Sequence, residues 1–350
     1  MATTPNPSLP RRGIIFIVGG EPKDHEVFAQ NDKPKPSDRQ SAFVYRPKEG
    51  HLKMTCLLLT VSVLGVNGLL GQVPSYRRSQ LLLETPQLAQ LLSSPQLRLL
   101  DARPATEYQL GHLPGAVNLP ALETDDLEAN RRGFPIPPER AERLFRGAGI
   151  TSSSEIVIYD DQGNRFAARL FYVLEFFGHQ HVQILNGGLK KWQSEGRPLS
   201  TDSPRVVAGD FKPQANPAVI ATSEWLNAHL HDPHIKLLDA RSEPEFIGEK
   251  VEGPRGGHMP GAIHLEWTRV IHPGEVMTFL DAPSLEKVFS DAQVSPGQEV
   301  VTYCQIGIRA AELYFALRLL GFEHVRIYDG SWEDWSSRAD LPVEKQGSRQ

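Results

Sequence analysis

Apolar residues fall into two kinds of run along this chain. Short ones rich in Val and Ile, Glu155–Tyr159 and Glu299–Tyr303, are too brief for helices and read as buried strands. Longer ones carry helical spacing: Thr85–Leu92, Phe166–Phe177, Ser223–His229 and Ala310–Leu320. Strand–helix alternation of this kind predicts an α/β fold, with parallel sheets covered by helices on both faces. In such sheets ligands sit beyond the carboxyl ends of the strands, where loops lead into helix N-termini.

The pattern is written twice. Leu99-Leu100-Asp101-Ala102-Arg103 recurs as Leu237-Leu238-Asp239-Ala240-Arg241, and Gly111-His112-Leu113-Pro114-Gly115-Ala116 as Gly257-His258-Met259-Pro260-Gly261-Ala262. Further on, Gly178, Gly187 and Trp192 match Gly321, Gly330 and Trp335 without a gap. Two tandem units follow, residues 80–198 and 222–342, joined by a Pro-rich linker over 199–221. Features common to both units are expected to be structural. Asp239 and Arg241, like Asp101 and Arg103, are expected to form a buried ion pair. His112 and His258 are expected to be hydrogen-bonded framework groups, and Trp192 and Trp335 packing residues.

The amino-terminal region is of another kind. Residues 1–53 mix Pro, Gly and charge and read as a disordered or mis-assigned leader. From Met54 the chain runs uncharged from Thr55 to Gly71, then reaches Pro74 and basic Arg77-Arg78. Residues 54–75 look like a secretory signal peptide with small residues for cleavage near Gly68 or Gly71. A membrane anchor at 54–71 and a buried core segment stay open as alternatives. Export, to a periplasm or onto a membrane, is the expectation, with a cytoplasmic location as the alternative. Cys56 lies in this run and reads as an inert apolar thiol.

Composition narrows the classes of function. With 37 Lys+Arg against 42 Asp+Glu the net charge is -5, which leaves no electrostatic footprint for nucleic acid. Forty per cent apolar and 23% charged residues exclude a disordered chain and a many-span membrane protein. Two cysteines exclude a disulfide framework and a paired-CxxC zinc site. No metal site is expected. Cysteine chemistry here means a single thiol.

That thiol stands where the two units differ. After the strand, the first reads Tyr159-Asp160-Asp161-Gln162-Gly163-Asn164-Arg165-Phe166, and the second Tyr303-Cys304-Gln305-Ile306-Gly307-Ile308-Arg309. In the ungapped alignment Cys304 falls opposite Asp161 and Arg309 opposite Phe166. A cysteine closing a strand, followed by four residues and then an arginine that opens a helix, lets the chain curl its N–H groups around the sulfur. Those amides and the helix N-terminus favour thiolate over thiol. Gly307 suits a position with positive φ, and Arg309 offers a planar fork to an oxyanion. The second unit also carries extra residues from Glu249 to Gly256. Arg255 among them is read as a second anion ligand, or else as a solvated loop charge.

Together, tandem Asp-Ala-Arg and Gly-His-x-Pro-Gly-Ala motifs with Cys-x-x-Gly-x-Arg in the second unit resemble the two-domain rhodaneses. These are the thiosulfate/3-mercaptopyruvate sulfurtransferase family, and the resemblance runs from about residue 80 to 340. It implies a non-catalytic first domain, a catalytic second one and a persulfide on Cys304. The amides of Gln305, Ile306, Gly307, Ile308 and Arg309 would hold that persulfide. It implies a small anionic sulfur donor, a cyanide or thiol acceptor, no metal or organic cofactor, and a monomer.

Mercaptopyruvate-type loops carry a small hydroxyl residue two places after the cysteine, where this chain has Ile306. Thiosulfate-type loops often place basic residues directly after it, where this chain has Gln305 and Ile306. The family's second substrate-binding arginine corresponds to Glu245. Thiosulfate is the expected donor, bound by Arg309 with or without Arg255, and 3-mercaptopyruvate is the alternative. Two rivals remain. Related phosphatases enclose five residues between Cys and Arg against four here, a ring that crowds a phosphoryl group. A persulfide-relay or protein-binding module is the other.

Overall fold

Val and Ile dominate the two central strands because both faces of each are covered. In the strand Glu155–Tyr159, Ile156 to Tyr159 are wholly buried. The computed structural model describes residues 75–129 and 131–345, which fall within one compact unit, Gly68–Gln350. The segment at 54–71 read as a signal or anchor lies outside the described residues. Among the described residues no helix is long and apolar enough to cross a membrane.

The first half runs β1 (Leu82–Leu83), α1 (Thr85–Leu91), β2 (Leu97–Asp101), α2 (Ala105–Leu110) and β3 (Val117–Asn118). A short antiparallel ribbon follows, β4 (Asp125–Asp126) with β5 (Arg131–Pro135). Then come α3 (Pro138–Gly147), β6 (Glu155–Tyr159), α4 (Arg165–Phe176), β7 (Val182–Leu185) and α5 (Gly188–Ser194). The second half repeats the scheme as β8 (Ile220–Ala221), α6 (Ser223–His229), β9 (Ile235–Asp239), α7 (Glu243–Ile247) and β10 (Ile263–His264). It closes with α8 (Ala282–Asp291), β11 (Glu299–Tyr303), α9 (Ile308–Leu319), β12 (Val325–Tyr328) and α10 (Ser331–Ser337).

Each half is a five-stranded parallel sheet, ordered β1-β7-β6-β2-β3 and β8-β12-β11-β9-β10. The α/β class and the tandem arrangement are those of the sequence pattern. The central strands coincide with the predicted ones, and the helix bounds differ by one or two residues at their ends. The registers agree as well: Asp101 pairs with Tyr159, and Asp239 with Tyr303.

The halves share one core. Helices α4 and α9 pack against each other, with Phe171 on Phe315 (centroids 4.9 Å apart) and Tyr172 on Tyr314 (5.2 Å), both edge to face. The linker adheres to the first half. Gly209 N–H donates to Arg146 O (2.9 Å) and Gln214 N–H to Phe177 O (2.9 Å), and Phe211 is buried.

Motifs common to both halves build the same substructure twice. Arg103 and Arg241 each clamp their aspartate, Nη2 to Asp101 or Asp239 Oδ2 at 2.6 Å. Each also donates to a glycine carbonyl, Gly111 or Gly257, at 2.8 Å. His112 stacks on Tyr108 and His258 on Phe246 (both 3.8 Å), and each Nδ1 lies near a main-chain carbonyl. Trp192 and Trp335 are buried, with Nε1 donating to Pro198 O and Pro342 O.

Candidate active site

Cys304 is the first residue past β11 and is 1% exposed. Its backbone is held from the first turn of α10. Cys304 N–H donates to Ser331 Oγ (3.2 Å), Trp332 N–H donates to Cys304 O (2.9 Å), and Glu333 N–H to Gln305 O (3.1 Å). Among the described residues, the amides from Gln305 to Ala310 meet no acceptor. Gly307 turns the chain with φ +84° and caps α9. The outcome is a loop whose donors are free and whose helix begins beside the thiol, an arrangement that favours an anion.

The first half displays what such a loop does with a negative charge. The Asp160 carboxylate accepts N–H groups from Gln162 (2.9 Å) and Asn164 (2.9 Å) at Oδ1, and from Phe166 (2.7 Å) and Ala167 (3.0 Å) at Oδ2. Burial pushes its pKa up, against the pull of those amides. This corrects the ungapped alignment, which set Cys304 opposite Asp161. Strand register places Asp160 opposite Cys304, since Tyr159 and Tyr303 hold equivalent pairings. The first loop is one residue longer, 160–164 against 304–307, and the extra residue is taken up where Asn164 adopts φ +72°.

Arg309 lies beside the thiol, but its fork is occupied. Nη1 donates to Glu245 Oε2 (2.7 Å) and Nη2 to Glu245 Oε1 (2.8 Å). Burial works against the Arg309 charge, yet Glu245 and Cys304 hold its pKa above the ordinary value. Glu245 is fixed in turn by Ser242, whose Oγ donates at 2.6 Å and whose N–H donates at 3.1 Å. Burial raises the Glu245 pKa, but Arg309 and Ser242 outweigh it and bring it down to about 2.

Arg255 is not brought into this group, contrary to its reading as an anion ligand. Its guanidinium donates to the carbonyls of Trp335, Ser336, Arg338 and Leu341 at 2.6–2.9 Å, at and just beyond the end of α10. Carbonyls left over at a helix C-terminus need donors, and a guanidinium satisfies several of them at once. Gln305 reaches Glu252 O with Nε2 (3.3 Å), and its Oε1 is buried without a partner. Ile306 turns its carbonyl toward Gly133, and Ile308 opens α9. Behind the loop, Arg241 lies 4.5 Å from the Trp332 ring while holding Asp239, so the common ion pair supports the strand end. His258 serves the Gly-Pro turn.

Several residues of the site escaped sequence reasoning. Arg169 of α4 crosses between the halves: Nη1 donates to Asp329 Oδ1 (2.6 Å), and Nη2 to Gly133 O (2.6 Å) and Asp125 Oδ1 (3.2 Å). All three side chains are buried. A Cβ on Gly307 would lie 3.2 Å from Arg169 Nη1, and one on Gly133 only 2.7 Å from Ile306 O. The ribbon of the first half therefore backs the cysteine loop of the second. The one available signal was Arg169 in the middle of a largely apolar helical run whose only other charge, Glu175, stands near its end.

With this geometry in place, comparison with known proteins is informative. The model of the rhodanese-like domain family matches residues 84–195 and 222–338. Thiosulfate sulfurtransferase of Azotobacter vinelandii is 34% identical over 75% of this chain and 97% of its own length. 3-Mercaptopyruvate sulfurtransferase of Escherichia coli K12 is also 34% identical, over 73% and 95%. Among solved structures, the 3-mercaptopyruvate sulfotransferase SseA from Escherichia coli superposes with a TM-score of 0.66 at 28% identity. It covers 72% of this chain and 98% of its own.

Proposed function

The chain belongs to the rhodanese family, and from that premise we propose that it moves sulfane sulfur from thiosulfate to a thiophilic acceptor through Cys304. The observation that carries this reading is Cys304 at a strand end, where the sister half holds an aspartate carboxylate in a ring of its own loop amides.

The chemistry is a double displacement. The Cys304 thiolate attacks the outer sulfur of thiosulfate, forming an S–S bond as the bond to the sulfonate sulfur breaks. Sulfite leaves with that electron pair, and the enzyme keeps a persulfide anion. Amides from Gln305 to Ala310 are positioned to stabilise that anion as an oxyanion hole stabilises oxygen. Cyanide, or a thiolate in the cell, then attacks the terminal sulfur and releases Cys304 as thiolate. Neither half-reaction needs an outside oxidant or reductant.

Thiosulfate is favoured because the loop has no hydroxyl side chain with which to greet a keto acid. 3-Mercaptopyruvate is the second reading, since relatives of both names match the chain at equal identity. The test is thiocyanate production from thiosulfate and cyanide, with 3-mercaptopyruvate in parallel and Cys304→Ser as control. Turnover with thiosulfate, its loss in the variant, and a mass gain of one sulfur (about 32 Da) on the wild type are expected. Faster turnover with 3-mercaptopyruvate would reverse the donor assignment.

A further inference from the structure

We propose that Glu245 is a specificity-determining residue that competes with the sulfur donor for Arg309 and discriminates against dianions. This rests on the sulfurtransferase reading and adds a charge rule to it.

Among the described residues, the cations around the cysteine loop are already matched. Arg309 forks onto Glu245, Arg241 onto Asp239, and Lys250 pairs with Glu252 at 2.8 Å. Arg255 faces the end of α10. Among the described residues, an incoming anion therefore meets free amides but no unpaired positive side chain. Glu245 is 4% exposed at its side chain against 21% for Arg309, so the carboxylate lies on the inner side of the pair. Ser242 prevents it from swinging away. An anion that reaches for Arg309 must share the guanidinium with this carboxylate.

Coulomb repulsion is linear in charge, so a dianion feels twice what a monoanion feels at the same place. Glu245 accordingly weakens binding of thiosulfate, a dianion, more than that of a monoanionic donor such as benzenethiosulfonate. The Glu245→Gln variant removes the charge and keeps the α7 capping box, because glutamine also accepts the Ser242 bonds.

Steady-state kinetics of Glu245→Gln with both donors tests this. KM for thiosulfate should fall roughly tenfold and that for benzenethiosulfonate roughly threefold, the square root expected of half the charge. Added salt at 0.5 M, roughly, should shrink both differences. An unchanged or raised KM for thiosulfate, or an equal factor for the two donors, would overturn the proposal. If the wild type transfers no sulfur from either donor, the sulfurtransferase reading fails by itself. The charge rule is then read from protection of Cys304 against iodoacetamide by sulfate. The half-protecting concentration should fall about tenfold in Glu245→Gln, and no fall would overturn the proposal.

Discussion

Asp160 and Cys304 occupy one position in two copies of the same fold, each the first residue beyond a strand that ends in tyrosine. The first copy fills its ring of amides permanently with its own carboxylate. The second leaves the ring to a sulfur. One duplicated loop thus surrounds a carboxylate in one half and the proposed nucleophile in the other.

The Asp160 carboxylate stabilises the first half. Asp160→Ala leaves buried N–H groups without an acceptor, a loss of about 2 kcal/mol or more. The melting temperature should drop by roughly 5 °C, while Cys304 remains competent in the folded fraction. Differential scanning calorimetry beside the thiocyanate assay checks both halves of that statement.

The Arg309–Glu245 pair makes stability depend on pH in a defined window. Glu245 has its pKa depressed from 4.5 to about 2, with burial opposing and Arg309 and Ser242 prevailing. A depressed carboxyl stabilises the fold fully above its unfolded value, and that stabilisation fades as pH falls from about 4.5 through 2. Urea midpoints measured across this window should decline more steeply for the wild type than for Glu245→Gln. Parallel curves would contradict the assignment.

Removal of Arg169 should act on both halves together. It leaves Asp125 and Asp329 buried and without their cation, which costs about 3–5 kcal/mol. The Arg169→Met protein should unfold earlier, and its folded fraction should alkylate at Cys304 at an altered rate, because Arg169 lies against Gly307. A change in stability with an unaltered alkylation rate would confine Arg169 to domain packing.

Gly133 tests how tightly the ribbon backs the loop. Its φ is +81°, and an added Cβ would meet Asp329 O at 2.6 Å and Ile306 O at 2.7 Å. Both obstacles are main chain and cannot rotate aside. Gly133→Ala should reduce kcat/KM at least roughly tenfold by displacing the cysteine loop, the sensitivity expected of a positioned nucleophile.

Arg255→Ala separates structure from binding. With the end of α10 deprived of its donors, stability should fall by about 2 kcal/mol, while KM for thiosulfate stays within about twofold. A large rise in KM would return Arg255 to the donor site.

Much of this was legible in the chain because the chain is written twice. Matching Leu-Leu-Asp-Ala-Arg and Gly-His-x-Pro-Gly-Ala marks the scaffold, and a cysteine in only one copy marks the chemistry. The one-residue difference between the loops was hidden, since an ungapped match follows the long helices and shifts the strand ends by one. Arg255 was read two ways, as an anion ligand or as a solvated loop charge, and the structure turns it to the end of α10. Its position in an inserted loop says that it is near the site, not which carbonyls it faces.

Local and periodic information sufficed for the α/β class, the duplication, the strand that delivers Cys304 and the glycine that turns the loop, because these depend on residues a few places apart. Tertiary structure alone decided that Glu245 takes the fork of Arg309, that Arg169 joins Asp125 to Asp329, and that Gly133 lies under Ile306. Each brings together groups that are remote in the chain. The Glu245–Arg309 pair forms where separate loops of the second half converge, and the other two contacts where the two halves share a core; in each place burial makes an unmatched charge costly enough to select its partner.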